Sequence, residues 1–218
     1  MEKKIRRRRH EESAEQHRAE IVRHYDALID ENNDPVQDPA ALKAYMDGWD
    51  GDVFMDALHL SKEKSVLEIG VGTGRLAVKT APQCKLFYGV DLSLKTIERA
   101  KNHLKAFQNV HLICGDFLSC EFNRTFDVIY SSLTFMHIIE KEAAIRKAAN
   151  LLNENGRFVL SIDKSQATVL RCGERELILC PDHPDRISKS MTAAGLKRIE
   201  QRETVFAWIM IGEKAVSA

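Results

Sequence analysis

From residue 19 the apolar positions Ile21, Val22, Tyr25, Leu28 and Ile29 recur at helical spacing while Arg23, Asp26 and Asp30 fall on the other side, which predicts an amphipathic helix ending near Asn32 to Pro35. A second helix starts after Asp38, with Pro39 in its first turn, and runs to about residue 47; a third, short one covers residues 51–60. The pattern then changes to short apolar runs. Residues 65–69, 86–90, 110–114, 126–131 and 157–162 read as strands, with helical segments at 75–81, 94–107 and 141–152 between them. This alternation predicts a parallel sheet covered on both faces. The last fifty or so residues break the rhythm: 168–170 and 176–179 flank residues 171–175 as a hairpin or lid, a helix over 184–194 ends at Gly195, and 196–202 and 205–211 form two strands with a tight link.

The reading divides the chain into a charged flexible tail (1–18), an N-terminal helical cap (19–60) and one α/β domain (61–218). At 218 residues and 44% hydrophobic the chain has enough apolar material for one buried core. Lys3, Lys4 and the run Arg6 to Arg9 would suit a polyanion, yet Glu11, Glu12 and Glu15 follow at once, so a solvated tail is the preferred reading. Overall, 32 basic residues balance 32 acidic ones, which disfavours nucleic acid or an anionic membrane as partner and leaves a small molecule as the default. The five cysteines include no C-x-x-C pair and read as reduced thiols. With no apolar run long enough to span a bilayer and no signal-peptide pattern, a cytoplasmic protein is expected.

The chemistry concentrates after the first strand. Glu68-Ile69-Gly70-Val71-Gly72-Thr73-Gly74 breaks a strand into closely spaced glycines and then a helix, a geometry that lets backbone approach a nucleotide. The dinucleotide fingerprint wants its third glycine one residue later, where this chain has Arg75. Glu68 is a carboxylate inside an apolar strand, costly to bury unless it organises the loop or meets a ligand cation. Asp91 ends the second strand, where a carboxylate can accept both hydroxyls of a ribose. Asp91 and Asp116 taken singly could equally cap helices.

Together these residues resemble the class I S-adenosylmethionine-dependent methyltransferases. The likeness is carried by Val66 to Gly74, by Gly89-Val90-Asp91-Leu92-Ser93, by Cys114-Gly115-Asp116-Phe117, by Phe126 to Ser132, and by the run from Leu151 to Phe158. It implies a doubly wound, Rossmann-like, seven-stranded, mostly parallel sheet with an antiparallel last strand, beneath an N-terminal helical cap. The resemblance also implies S-adenosylmethionine as methyl donor. Glu68 and Gly70 would lie near the methionine amino group, with Gly72 and Gly74 completing the loop. Asp91 would meet the ribose, Asp116 the adenine amino group, and Leu92 and Phe117 the base. Ser131 and Leu133 would line the cofactor, and Tyr45 and Trp49 on the cap would stack over it or simply pack.

Methyl transfer from a sulfonium needs alignment and exclusion of water more than a base. If the acceptor must lose a proton, His137, just after the fourth strand, is the candidate catalytic residue; the competing reading is a histidine satisfied within the sheet's cover. Asp163 stands where related enzymes place a metal ligand, but Ser131 occupies the position of a second carboxylate, so no metal is expected. The preferred function is methylation of a small-molecule acceptor. The alternatives are an RNA-modifying methyltransferase with a basic arm, a non-catalytic S-adenosylmethionine binder, and, least favoured, an NAD-dependent oxidoreductase.

Overall fold

The structure, a computed structural model, describes the backbone of residues 2–216 and the side chains of residues 13–216. Its helices are α1 (Glu2–Asp30), α2 (Ala40–Ala57), α3 (Ala77–Thr80), α4 (Leu94–Leu104), α5 (Lys141–Leu151) and α6 (Pro184–Ala193). The strands are β1 (Ser65–Ile69), β2 (Leu86–Asp91), β3 (Val110–Cys114), β4 (Phe126–Ser132), β5 (Leu152–Asp163), β6 (Val169–Cys172), β7 (Arg175–Ile178), β8 (Leu196–Glu203) and β9 (Ala207–Lys214).

Seven strands form one sheet in the order β3-β2-β1-β4-β5-β9-β8. β1 to β5 pair in parallel, and β9, the last strand in the chain, runs antiparallel to both β5 and β8. Alternation along each strand sends neighbours to opposite faces. On β1, Val66 joins one core with Phe54, Phe87 and Tyr130, while Leu67 joins the other with Ile129, Phe158 and Ile145. All eight are buried, and removing each large apolar side chain from water contributes about 1.5–3 kcal/mol. The order reverses between β1 and β4, so a crevice opens beyond the carboxyl ends of these strands.

Two helical segments differ from the pattern-based reading. α1 runs without a break from Glu2, through the stretch expected to be a flexible tail. Its buried face extends upstream of Ile21 through His17 and Ala14, residues that a count of large apolar positions passes over. The basic run Lys3 to Arg9 lies outside the residues whose side chains are described. The two short cap helices are both present and meet end to end within α2, but the break between them, a non-helical backbone, falls at Gly51 (φ −23°, ψ −146°) rather than at Gly48. Gly48, read as a stop, lies inside α2 because the ring of Phe206 occupies the space its Cβ would need.

Candidate active site

The glycine loop, the ends of β2 and β3, and the segment after β4 enclose a cavity of about 290 Å³, roofed by α1. Gly70 has φ +79°, and a Cβ there would collide with the side chain of Thr134 across the loop, so the turn needs glycine on two grounds. Gly72 donates its N–H to Asp91 Oδ2 at 2.9 Å, while Asp91 Oδ1 accepts from Ser93 N at 3.0 Å and Thr96 Oγ1 at 3.1 Å. The cap of α4 is Ser93, whose side chain accepts from Thr96 N at 3.1 Å, so Asp91 is free of that duty and shapes the glycine loop instead. Burial raises its pKa.

Glu68 is buried beside the loop, and its Oε2 accepts the Tyr130 hydroxyl at 2.8 Å. Burial pushes its carboxyl up to about 8, against the smaller opposing effects of Tyr130 and Arg75. Arg75 is itself committed: its guanidinium grips both oxygens of Asp50, a fully buried carboxylate on α2 that also accepts from Ser132 Oγ at 2.7 Å. Thr73 Oγ1, also buried and on a residue lining the cavity, has no partner among the described residues.

Helix α1 supplies Ile21, Tyr25, Leu28 and Ile29 to the roof. Polar contacts hold it down. Asp26 accepts from Ser93 Oγ at 2.6 Å, Asp30 from Lys95 at 2.6 Å, and Asp34, just beyond the helix, from Arg99 at 3.0 Å. Glu31 meets Arg175 of the β6–β7 hairpin at 2.7 Å. Below the roof His137 Nε2 lies 2.8 Å from the Tyr25 hydroxyl, and Leu133 holds a left-handed backbone (φ +55°) unusual for a non-glycine residue.

Of the sequence-selected positions, Glu68, Gly70, Gly72, Asp91, Leu92, Asp116, Phe117, Leu133 and His137 all line this cavity. Four do not. Gly74 faces α4, where a Cβ would meet Leu104 and Ala100 at ordinary contact distances of 3.5 and 3.8 Å, so it is its positive φ of +95° that favours glycine. Ser131 points into the sheet and donates to Ile69 O at 2.8 Å; its neighbour Ser132 faces the cavity, as a period of two requires. Tyr45 and Trp49 pack with Phe206 (ring centroids 5.3 and 4.6 Å) on the β8–β9 side of α2, and Met46 is the residue of that helix that reaches the cavity. The reading missed Tyr25, Arg18, Thr73 and the Arg75–Asp50 pair. Arg75 had been noted only as a departure from another fingerprint, and Asp50 carries no local signal because its partners are 25 and 82 residues away.

Among the described residues, no group of three or more His, Cys, Asp or Glu side chains is placed to hold a metal ion, and no helix is long and apolar enough to cross a membrane.

Residues 60–202 match the family described as Methyltransferase domain. A protein of Anoxybacillus flavithermus named as an uncharacterized methyltransferase is 39% identical over 123 residues, 54% of this chain and 56% of the relative. One from Bacillus mycoides with the same description is 37% identical over 99 residues, 44% and 46% of the two chains. The chain thus matches about half the length of these curated relatives. Among solved structures, the DhpI–SAH complex superposes with a TM-score of 0.73 at 14% identity, over 93% of this chain and 98% of that one. Magnesium protoporphyrin IX methyltransferase from Synechocystis PCC 6803 with bound SAM gives 0.69 at 17%, covering 91% and 97%. The N-methyltransferase NodS from Bradyrhizobium japonicum WM9 in complex with S-adenosyl-L-homocysteine gives 0.62 at 17%, covering 87% and 97%. Sheet order, crevice and family match together define a class I S-adenosylmethionine-dependent methyltransferase fold. The chain belongs to the methyltransferase domain family.

Proposed function

We propose that this protein binds S-adenosylmethionine in the cavity between the glycine loop and α1 and transfers its methyl group in line to a small-molecule acceptor. The observation that carries the reading is the convergence of three carboxylates on one crevice. Glu68, Asp91 and Asp116 arrive from the ends of successive parallel strands and line the same cavity. The polar groups suit the donor. Glu68 has no cation in hydrogen-bond contact and can receive the ammonium of an amino acid, while the unpartnered Thr73 hydroxyl can donate to its carboxylate. Asp91 keeps acceptor capacity for ribose hydroxyls, and Asp116, 3.7 Å from Arg18, stands at the adenine end beside Phe117. When bound, the donor supplies an electrophilic methyl on a sulfonium; the chain positions it, and the apolar roof keeps water from competing.

Isothermal calorimetry tests this. S-adenosylmethionine and S-adenosylhomocysteine should bind and NAD should not; heat from NAD alone would remove the reading. Transfer of labelled methyl to any member of an acceptor panel separates an enzyme from a binder. Salt-sensitive RNA binding lost on deletion of residues 1–10 would instead favour an RNA substrate.

A further inference from the structure

The end of the cavity around His137 restricts the chemistry of the acceptor. Burial, and then Asp91, push the Tyr25 hydroxyl well above its ordinary range, so it keeps its proton; His137 Nε2, at 2.8 Å, is its one hydrogen-bond partner among the described residues, and the phenol donates to it rather than leave that proton unpaired. Burial first, then His17, His24 and Lys141, bring His137 down to about 3. The ring is therefore neutral, with its one proton on Nδ1. That Nδ1 is buried and has no partner among the described residues, on a residue that lines the cavity. A buried N–H left without an acceptor is a standing cost that an incoming oxygen removes.

The surrounding charges point the same way. His17, whose Nε2 donates to His137 O at 3.2 Å, and His24 are both buried on α1 over this end. The carboxylates nearby are engaged: Asp182 with Lys141 at 2.8 Å, Asp116 and Glu140 with Arg18 at 3.7 and 3.9 Å, and Asp91, which carries no ion pair, with Gly72 N, Ser93 N and Thr96 Oγ1. An acceptor ammonium would find each of these carboxylates already engaged. The remaining walls, Ile21, Leu133 and Ile138, are apolar.

We propose that the acceptor is a small apolar carboxylic acid whose carboxylate is held by His137 Nδ1–H and is the nucleophile; this rests on the donor reading above. One carboxylate oxygen forms the O–CH₃ bond as the C–S bond breaks and its electron pair passes to sulfur. The products are a methyl ester and a thioether, and no proton is released. A cationic sulfonium and an anionic oxygen lose their charges together, so a water-poor site favours the transition state over the separated ions. His137 orients the acceptor and takes no proton, which replaces the role of base expected for it.

The test uses the full chain and three matched sets: octanoate, octanol and octylamine; phenylacetate with its alcohol and amine; benzoate with its alcohol and amine. Calorimetry with S-adenosylhomocysteine comes first, and no binding there removes the donor reading and this proposal with it. On the loaded protein, at least one acid should bind about tenfold or more tighter than its amine and alcohol. Labelled methyl should pass to that acid as an alkali-labile ester, without acidifying a weakly buffered solution. His137→Leu should abolish the preference for acids with S-adenosylhomocysteine affinity unchanged, and His137→Asn, which retains an N–H near the Nδ1 position, should restore part of it. Loaded protein that binds amines or alcohols as tightly as the acids, methylation accompanied by proton release, or a His137→Leu variant that keeps the preference would each overturn the proposal and leave the donor reading standing.

Discussion

Replacing Glu68 by glutamine tests the electrostatics of the donor end without any ligand. The amide keeps the size of the side chain and an oxygen for the Tyr130 hydroxyl, and removes only the ionisable group. In the unfolded chain this carboxyl titrates near 4.5; in the folded one burial moves it to about 8. A raised carboxyl contributes stability that is complete below pH 4.5, drains away as the pH climbs and levels off above about 8. At about 1.36 kcal/mol per pH unit that interval corresponds to roughly 5 kcal/mol. Local relaxation around the charge reduces the expected figure to about 2–4 kcal/mol. Urea unfolding of wild type and Glu68→Gln at pH 5, 7 and 9, at constant ionic strength, measures it as a difference, so groups that titrate in both proteins cancel. The variant should gain on wild type between pH 5 and about pH 8 and hold that gain at pH 9. Parallel stability curves for the two proteins would refute the argument that burial dominates at Glu68.

Three further outcomes are expected. Asp50→Ala leaves the Arg75 guanidinium buried without its partner, which costs about 3–5 kcal/mol and, at about 2–4 °C per kcal/mol for a chain of this size, lowers Tm by roughly 6–20 °C; the double replacement Asp50→Leu with Arg75→Met should recover most of the loss in the same thermal scan. Asp91→Ala releases Gly72 N, Ser93 N and Thr96 Oγ1 together, and calorimetry should show S-adenosylhomocysteine affinity reduced by about 10- to 100-fold. Ser132→Ala should weaken the same binding while Ser131→Ala, within the sheet, leaves it unchanged and is read in stability alone.

What could be read from the sequence was what local pattern encodes. The five parallel strands appear as apolar runs, their arrangement follows from the helical segments that alternate with them, and the carboxylates lie at or near strand ends where such sheets bind ligands. Errors came where one residue of register or a distant partner decides. Ser131 and Ser132 are chemically the same, and only the pleat tells which faces the crevice. For Tyr45 and Trp49 aromatic chemistry leaves stacking over a donor and plain packing equally open, and the partner that decides for packing, Phe206, is more than 150 residues away. Tyr25 sat in plain view on an amphipathic stripe, but an apolar stripe says that a face is covered and not what it covers. Its meaning emerged only once His137 lay opposite.

The roof of the cavity comes from α1 and its floor from the glycine loop to the segment after β4, and the family match begins only at residue 60. On the proposed reading the donor's end is written mostly inside the matched span, whereas the acceptor's end is shared between Leu133, His137 and Ile138 within it and His17, Ile21 and Tyr25 outside it. Likeness measured over residues 60–202 carries the donor's half. The side of the acceptor's end that α1 supplies is not sampled by such likeness, so on this reading proteins alike in the family match can differ in what they methylate while sharing the means of doing it.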